Sequence, residues 1–195
     1  TGMVISRDEN LYSAIEVEFN DAEKHRTMRL TDRYGFTMAA LDDAAVLFAA
    51  RSNHGNPSTV VYRCLAAWAA NSDWQVQFEK GEEAEAVALG RKFAAVATSR
   101  RYVRVYSHTG APRAVLCHAG PLVAIAAHRG LLAIVTHAGR ATGGDDQSMG
   151  VTIYDLRDPS RPVRMCVEPL PISPGSTLAW SGFSDDGALC TVDSA

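Results

Sequence analysis

The chain has 195 residues and a formal net charge of −3, enough length for one domain with a sizeable core. That balance lacks the basic excess usual in nucleic-acid-binding domains. No apolar run reaches the roughly 18 residues of a membrane span, and no charged, apolar, small-residue leader opens the sequence.

Short β-type runs separated by turns fill the sequence. Residues 3–6, 14–19 and 27–30 are the expected strands of a remnant repeat over 1–35. Runs 36–40, 44–50, 59–65 and 73–78 make the first complete set, in 36–80, with at most a short helical turn at 67–70. Runs 84–89, 93–98, 102–106 and 112–117 make the second, in 81–118. Runs 122–127, 131–136, 150–156 and 162–167 make the third, in 119–170, with a long loop before the run at 150–156. Runs 176–180 and 188–192 start a further set in 171–195. The intervening turns carry suitable residues: His108-Thr109-Gly110, His128-Arg129-Gly130, Asp158-Pro159-Ser160, Ser173-Pro174-Gly175 and Asp185-Asp186-Gly187. Tyr102-Val103-Arg104-Val105-Tyr106 alternates, which points Arg104 outward. Runs 93–98 and 131–136 are nearly all apolar and rich in small residues, as suits sheets packed face to face near a crowded axis.

Residues 86–98 lie on 124–136 without a gap, at an offset of 38 (124 − 86). Identical residues pair Ala86 with Ala124, Ala88 with Ala126, Arg91 with Arg129, Ala95 with Ala133 and Thr98 with Thr136. A repeat near 40 residues, made of short strands and tight turns, is the signature of β-propeller blades. Tyr154-Asp155 ends the third run of its set, where WD-type blades carry Trp-Asp. The expected fold is all-β, with propeller blades of four antiparallel strands. The length holds about four to five blades. Both ends fall inside a blade, so a partial propeller over 1–195, or one completed by another copy, is expected.

Catalytic and metal-binding patterns are not expected here. His108, His118, His128 and His137, with Cys117 beside them, recur at strand-plus-turn spacing and lack a Cys-x-x-Cys or His-x-x-x-His pair. Ser107 and His108 are adjacent on an extended segment and point apart. Asp42-Asp43 and Asp185-Asp186 fit turn chemistry, and Gly143-Gly144-Asp145-Asp146 matches neither a calcium loop nor a phosphate loop. Cys64, Cys117, Cys166 and Cys190 read as buried free thiols in a reducing compartment. No catalytic, cofactor-binding or metal residue is assigned.

The one local charge feature follows an acidic run at Glu79, Glu82, Glu83 and Glu85. Arg91, Lys92, Arg100, Arg101, Arg104 and Arg113 form a candidate basic surface patch. It reads either as a docking site for an acidic peptide or nucleic-acid backbone, or as a solvated edge that discourages strand pairing. The solvated edge is the favoured reading, because aromatic stacking partners are few. At this level the alternatives are a generic peptide-binding propeller module and a propeller hydrolase or lyase. The latter needs polar residues along the inner strands, which are mostly Ala, Val, Leu and Ile.

The stretch 81–90, followed by 94–99, resembles the central, SepB-like β-propeller of a replisome scaffold family. That family comprises the yeast chromosome-transmission-fidelity and minichromosome-loss proteins and the animal WD-repeat and HMG-box DNA-binding protein. Further similar stretches lie at 16–21, 120–123, 137–139, 150–151 and 178–184. The resemblance runs over nearly the whole chain. It implies a nuclear, chromatin-associated, non-enzymatic scaffold with a six-bladed propeller that self-associates as a trimer. It also implies links to the replicative helicase and to DNA polymerase alpha components, made mostly by regions outside this chain. DNA contact is possible in the family but is assigned to no residue here, and no cofactor or membrane is implied.

Overall fold

The computed structural model describes residues 2–9, 12–21, 23, 25–53, 55–65, 72–140 and 147–195. Every regular element among them is a strand, and every pairing is antiparallel. Three strands, β1 (Gly2–Glu9), β2 (Tyr12–Phe19) and β3 (Met28–Asp32), form the first sheet. The second contains β4 (Met38–Leu41), β5 (Ala45–Ala50), β6 (Thr59–Cys64) and β7 (Trp74–Gln77). The third contains β8 (Ala84–Gly90), β9 (Phe93–Thr98), β10 (Tyr102–Tyr106) and β11 (Pro112–Cys117). The fourth contains β12 (Leu122–His128), β13 (Leu131–His137), β14 (Met149–Asp155) and β15 (Val163–Leu170). A two-stranded sheet, β16 (Leu178–Phe183) with β17 (Leu189–Asp193), follows.

Sheets stack in chain order, each resting its first strand on its neighbour: β4 and β5 on β8, β8 on β12, and β12 on β16. Strand alternation assigns the contacts, because successive side chains point to opposite faces. In β5, Val46 and Phe48 meet Ile15 and Val17 of the first sheet, while Ala45, Leu47 and Ala49 meet Ala94 and Val96 of β9. In β9, Phe93, Ala95 and Ala97 turn the other way onto Leu132 and Ile134 of β13. Ala133 and Val135 then meet Leu178, Phe183 and Leu189. β5 and β9 are therefore buried at every position. No single sheet buries its own core; neighbours supply it.

The β8–β9 and β12–β13 hairpins share one register. Ala86, Val87, Ala88 and Leu89 pair with Ala97, Val96, Ala95 and Ala94, and Ala124 to Ala127 pair in the same way with Val135 to Leu132. Each has an irregularity after its first residue, skipping Glu85 and Val123, and β16 repeats it at Ala179. Gly90 ends β8 because a Cβ there would stand 2.3 Å from the Phe93 ring and 2.9 Å from the Arg129 carbonyl. Asp32 and Asp42 organise the turns that flank β4. Asp32 accepts bonds from the Tyr34, Gly35 and Phe36 amides, and Asp42 from those of Ala44 and Ala45.

Three expectations change. β1 and β2 are longer than the expected 3–6 and 14–19. β16 starts at 178 rather than 176 and runs to 183, because Ser176 closes a turn onto the Ser173 carbonyl, with Gly175 at φ +69°. The cysteines are free but not buried: Cys117 and Cys190 are exposed, and Cys64 and Cys166 half-buried; Cys117 and Cys166 sit on the outermost strands β11 and β15, Cys190 on β17, and Cys64 at the end of β6. The expected helical turn at 67–70 and the segment Gly143–Asp146 lie outside the described residues.

Phe93 is fully buried between the third and fourth sheets. Phe93→Ala is expected to cost about 3–5 kcal/mol, read as a fall in the urea midpoint at an unchanged slope.

Candidate interaction surface

Antiparallel winding puts loops alternately on two rims. The crossing rim carries the turns from second to third strand (residues 51–58 and 99–101) and the crossings between sheets (33–37, 78–83 and 118–121). The hairpin rim carries the turns from first to second strand (42–44, 91–92, 129–130 and 184–188) and those from third to fourth (107–111 and 156–162).

A polar seam joins the second and third sheets on the crossing rim. The Ser58 hydroxyl donates to the Ala50 carbonyl at 2.8 Å and accepts from the Ala84 amide at 2.9 Å. The Ser52 amide and hydroxyl both donate to the Glu83 carboxylate at 2.6 Å, which holds that carboxyl below its ordinary range. Glu82, only 1% exposed, accepts a fork from Arg104: Nε at 2.7 Å and Nη2 at 2.8 Å. Arg100 Nη1 stands 3.6 Å from Glu82 and donates to Glu79 at 3.3 Å. The Arg104 guanidinium also lies over the rings of Phe78 and Tyr102, 5.7 and 5.9 Å from their centroids. These bonds pull the Glu82 carboxyl below, and push Arg104 above, their ordinary values. Beside the seam a shallow cleft of about 520 Å³ opens between the 52–58 turn and residues 79–83.

The hairpin rim is tied differently. Trp74, stacked on Tyr62 at 5.2 Å, donates its indole N–H to the His108 carbonyl at 3.1 Å. The His108 Nε2–H donates to the Gly90 carbonyl at 3.0 Å, the Arg91 amide to the Arg129 carbonyl at 2.7 Å, and the Leu156 amide to the Gly130 carbonyl at 2.7 Å. This relay, whose acceptors are all backbone carbonyls, links three sheets.

The candidate basic residues do not form one patch. Arg91 and Lys92 sit exposed on the hairpin rim and Arg100 and Arg101 on the crossing rim, at opposite ends of the six-residue strand β9, about 20 Å apart. Arg113 is exposed on the outer strand β11. Arg101 adopts φ +61° and donates to the Ala119 carbonyl at 2.9 Å. Arg104, expected to point outward to solvent, instead faces the crossing that carries Glu82: Val103 and Val105 bury the opposite face of β10, so alternation turns Arg104 under residues 78–82. The residues missed by sequence reasoning are Glu82, hidden within an acidic run that reads as solvated, and Trp74. A signal for the first was present, since Arg104 is the single charge in an otherwise apolar and aromatic strand. Among the described residues, no group of three or more His, Cys, Asp or Glu converges as a metal site. Among the described residues, no helix is long and apolar enough to cross a membrane. Asp42 and Asp155 cap their own turns.

Stacked four-stranded sheets with inner hairpins in a common register define a β-propeller type of protein. A solved complex of KlAtg21 with the coiled-coil of AgAtg16 has a similar fold, with a TM-score of 0.61 at 12% identity, covering 97% of this chain and 60% of that one. The chain belongs to the family described as minichromosome loss protein, Mcl1, middle region, whose model matches residues 1–195. It is 34% identical over 193 residues to mouse (Mus musculus) WD repeat and HMG-box DNA-binding protein 1, covering 99% of this chain and 17% of the relative. It is 34% identical over 184 residues to protein ENHANCER OF LHP1 1 of Arabidopsis thaliana, covering 93% and 19%. It is 27% identical over 188 residues to minichromosome loss protein 1 of Schizosaccharomyces pombe, covering 94% and 22%. The chain thus spans about a fifth of the length of these curated relatives.

The seam has an asymmetric stability signature. Arg104→Met strands a fully buried carboxylate and is expected to cost about 3 kcal/mol, whereas Glu82→Gln leaves a partly exposed guanidinium and costs less. The stabilisation from Glu82 is complete above its unfolded pKa of about 4.3 and is lost as pH falls through the lower folded value. Urea midpoints between pH 7 and pH 3 are expected to fall less steeply in Glu82→Gln than in the parent.

Proposed function

We propose that this chain is a non-enzymatic scaffold domain of a nuclear DNA replication protein. In this reading it works through protein–protein contacts, helps link the replicative helicase to DNA polymerase alpha components, and assembles with two further copies of itself. The observation that carries the reading is the end-to-end match of residues 1–195 to the middle region of the minichromosome loss family. The structure is consistent with it in one further respect. Val163, Met165 and Val167 stand 58%, 59% and 58% exposed along β15, an edge strand paired with β14 alone among the described residues. An apolar row on an open edge favours association with another chain. Contacts with DNA and most clients belong, in this reading, to other regions of the longer protein.

In cells, deletion of residues 1–195 from the full-length protein is expected to abolish its nuclear replication foci; normal foci would contradict the reading. By light scattering, the chain is expected to have the mass of a trimer across a concentration series. Val163→Glu with Val167→Glu is expected to dissociate it. A parent chain that stays monomeric would contradict the self-assembly part.

A further inference from the structure

On the hairpin rim, the turns from first to second strand of the third and fourth sheets carry three cations that no described residue neutralises. Arg91, Lys92 and Arg129 are exposed, and none makes a side-chain hydrogen bond or ion pair with another described residue. By contrast, Arg100 and Arg104 on the third sheet are paired with Glu79 and Glu82, and Arg157, next to Arg129 on this rim, is paired with Asp155 at 2.7 Å.

The backbone that carries these three cations is fixed by hydrogen bonds. The Arg91 amide donates to the Arg129 carbonyl at 2.7 Å, so the β8–β9 and β12–β13 turns touch. Gly90 is required for that approach, since a Cβ would stand 2.9 Å from the Arg129 carbonyl. His108 anchors the Gly90 carbonyl from one side, and Leu156 the Gly130 carbonyl from the other. Arg91 and Arg129 occupy the same position in two successive repeats. Arg129 holds φ +52°, a conformation that suits Gly or Asn better than Arg. An arginine kept there at a backbone cost, without an internal partner, points to a role in contact with another molecule.

The turns on either side limit what that molecule is. The β4–β5 turn carries Asp42 and Asp43, and the β16–β17 turn carries Asp185 and Asp186, with Asp43, Asp185 and Asp186 exposed. The turns from first to second strand therefore read acidic, basic, basic, acidic along successive sheets. A duplex presents one negative charge per about 1.7 Å and binds through many phosphates. The flanking aspartates repel such a polyanion at both ends of a three-cation ridge. A short acidic run fits between them.

We infer that Arg91, Lys92 and Arg129 form a preorganised docking ridge for a short, extended acidic peptide segment of a partner protein. The ridge stands whether or not the chain works in replication, because none of its supports draws on that reading. Its fixed backbone lowers part of the ordering cost of binding, and its exposure makes binding sensitive to salt.

The test is fluorescence anisotropy with a labelled octapeptide of alternating Asp and Glu, at low salt, with the Asn/Gln octapeptide as the uncharged control. The acidic peptide is expected to bind and the control not. Arg129→Gly is expected to weaken binding about fivefold while its melting temperature stays level or rises, because glycine relieves the positive φ. The double variant Arg91→Ser, Lys92→Ser weakens it further. Arg33→Ser, on the opposite rim, leaves it unchanged. Three results would overturn the inference: no binding of the acidic peptide, equal weakening by Arg33→Ser, or tighter binding of a short DNA duplex that is lost in the same ridge variants. The last would make the ridge a nucleic-acid contact.

Discussion

Face-to-face packing of small side chains between neighbouring sheets is the constraint on which the rest of the molecule depends. β9 presents Ala94 and Val96 to one neighbour and Phe93, Ala95 and Ala97 to the other, so both of its faces are dry. A strand covered on both faces has little place for a polar side chain. Thr98 and Gly90 mark the ends of that dry zone. Most of the charged chemistry of the chain is consequently displaced to the two rims and to the outer strands.

The rims manage their charges in opposite ways. On the crossing rim the charges are turned inward. Glu82 enters a nearly buried position because the crossing from the second to the third sheet folds over β10, and the Arg104 fork makes that burial tolerable. Ser52, Ser58, Glu83 and Ser99 complete a set of bonds that fixes how one sheet sits on the next. On the hairpin rim, backbone carbonyls and two side chains, Trp74 and His108, do the joining. Arg91, Lys92 and Arg129 there have no side-chain partner among the described residues and are exposed. The first rim is a structural seam; the second presents its charge to solution.

The strand plan was legible in the sequence because turn chemistry and the 38-residue overlay both report local geometry. The overlay works at the level of hydrogen-bond register: Val87 pairs with Val96 as Ile125 pairs with Ile134, so the same residues recur where the same packing recurs. The start of β16 was less legible, because Ser176 reads as a strand residue until its bond to the Ser173 carbonyl is known. The charged residues were the hardest to place. Arg104 and Glu82 are 22 residues apart, and only the crossing geometry brings them together. The thiols misled for a related reason. Cys117 ends an apolar run, but that run is the outermost strand of its sheet, with no neighbour beyond it.

Native-state hydrogen exchange across the whole chain tests most directly the claim that neighbouring sheets supply one another's core. The account predicts that amides of β5, β9 and β13 form the slowest class and exchange together, near the free energy of global unfolding, with β15 and β17 opening at lower cost. If each sheet instead exchanged as a separate unit, or if β9 opened as readily as β11, the shared core would not be what holds this fold together.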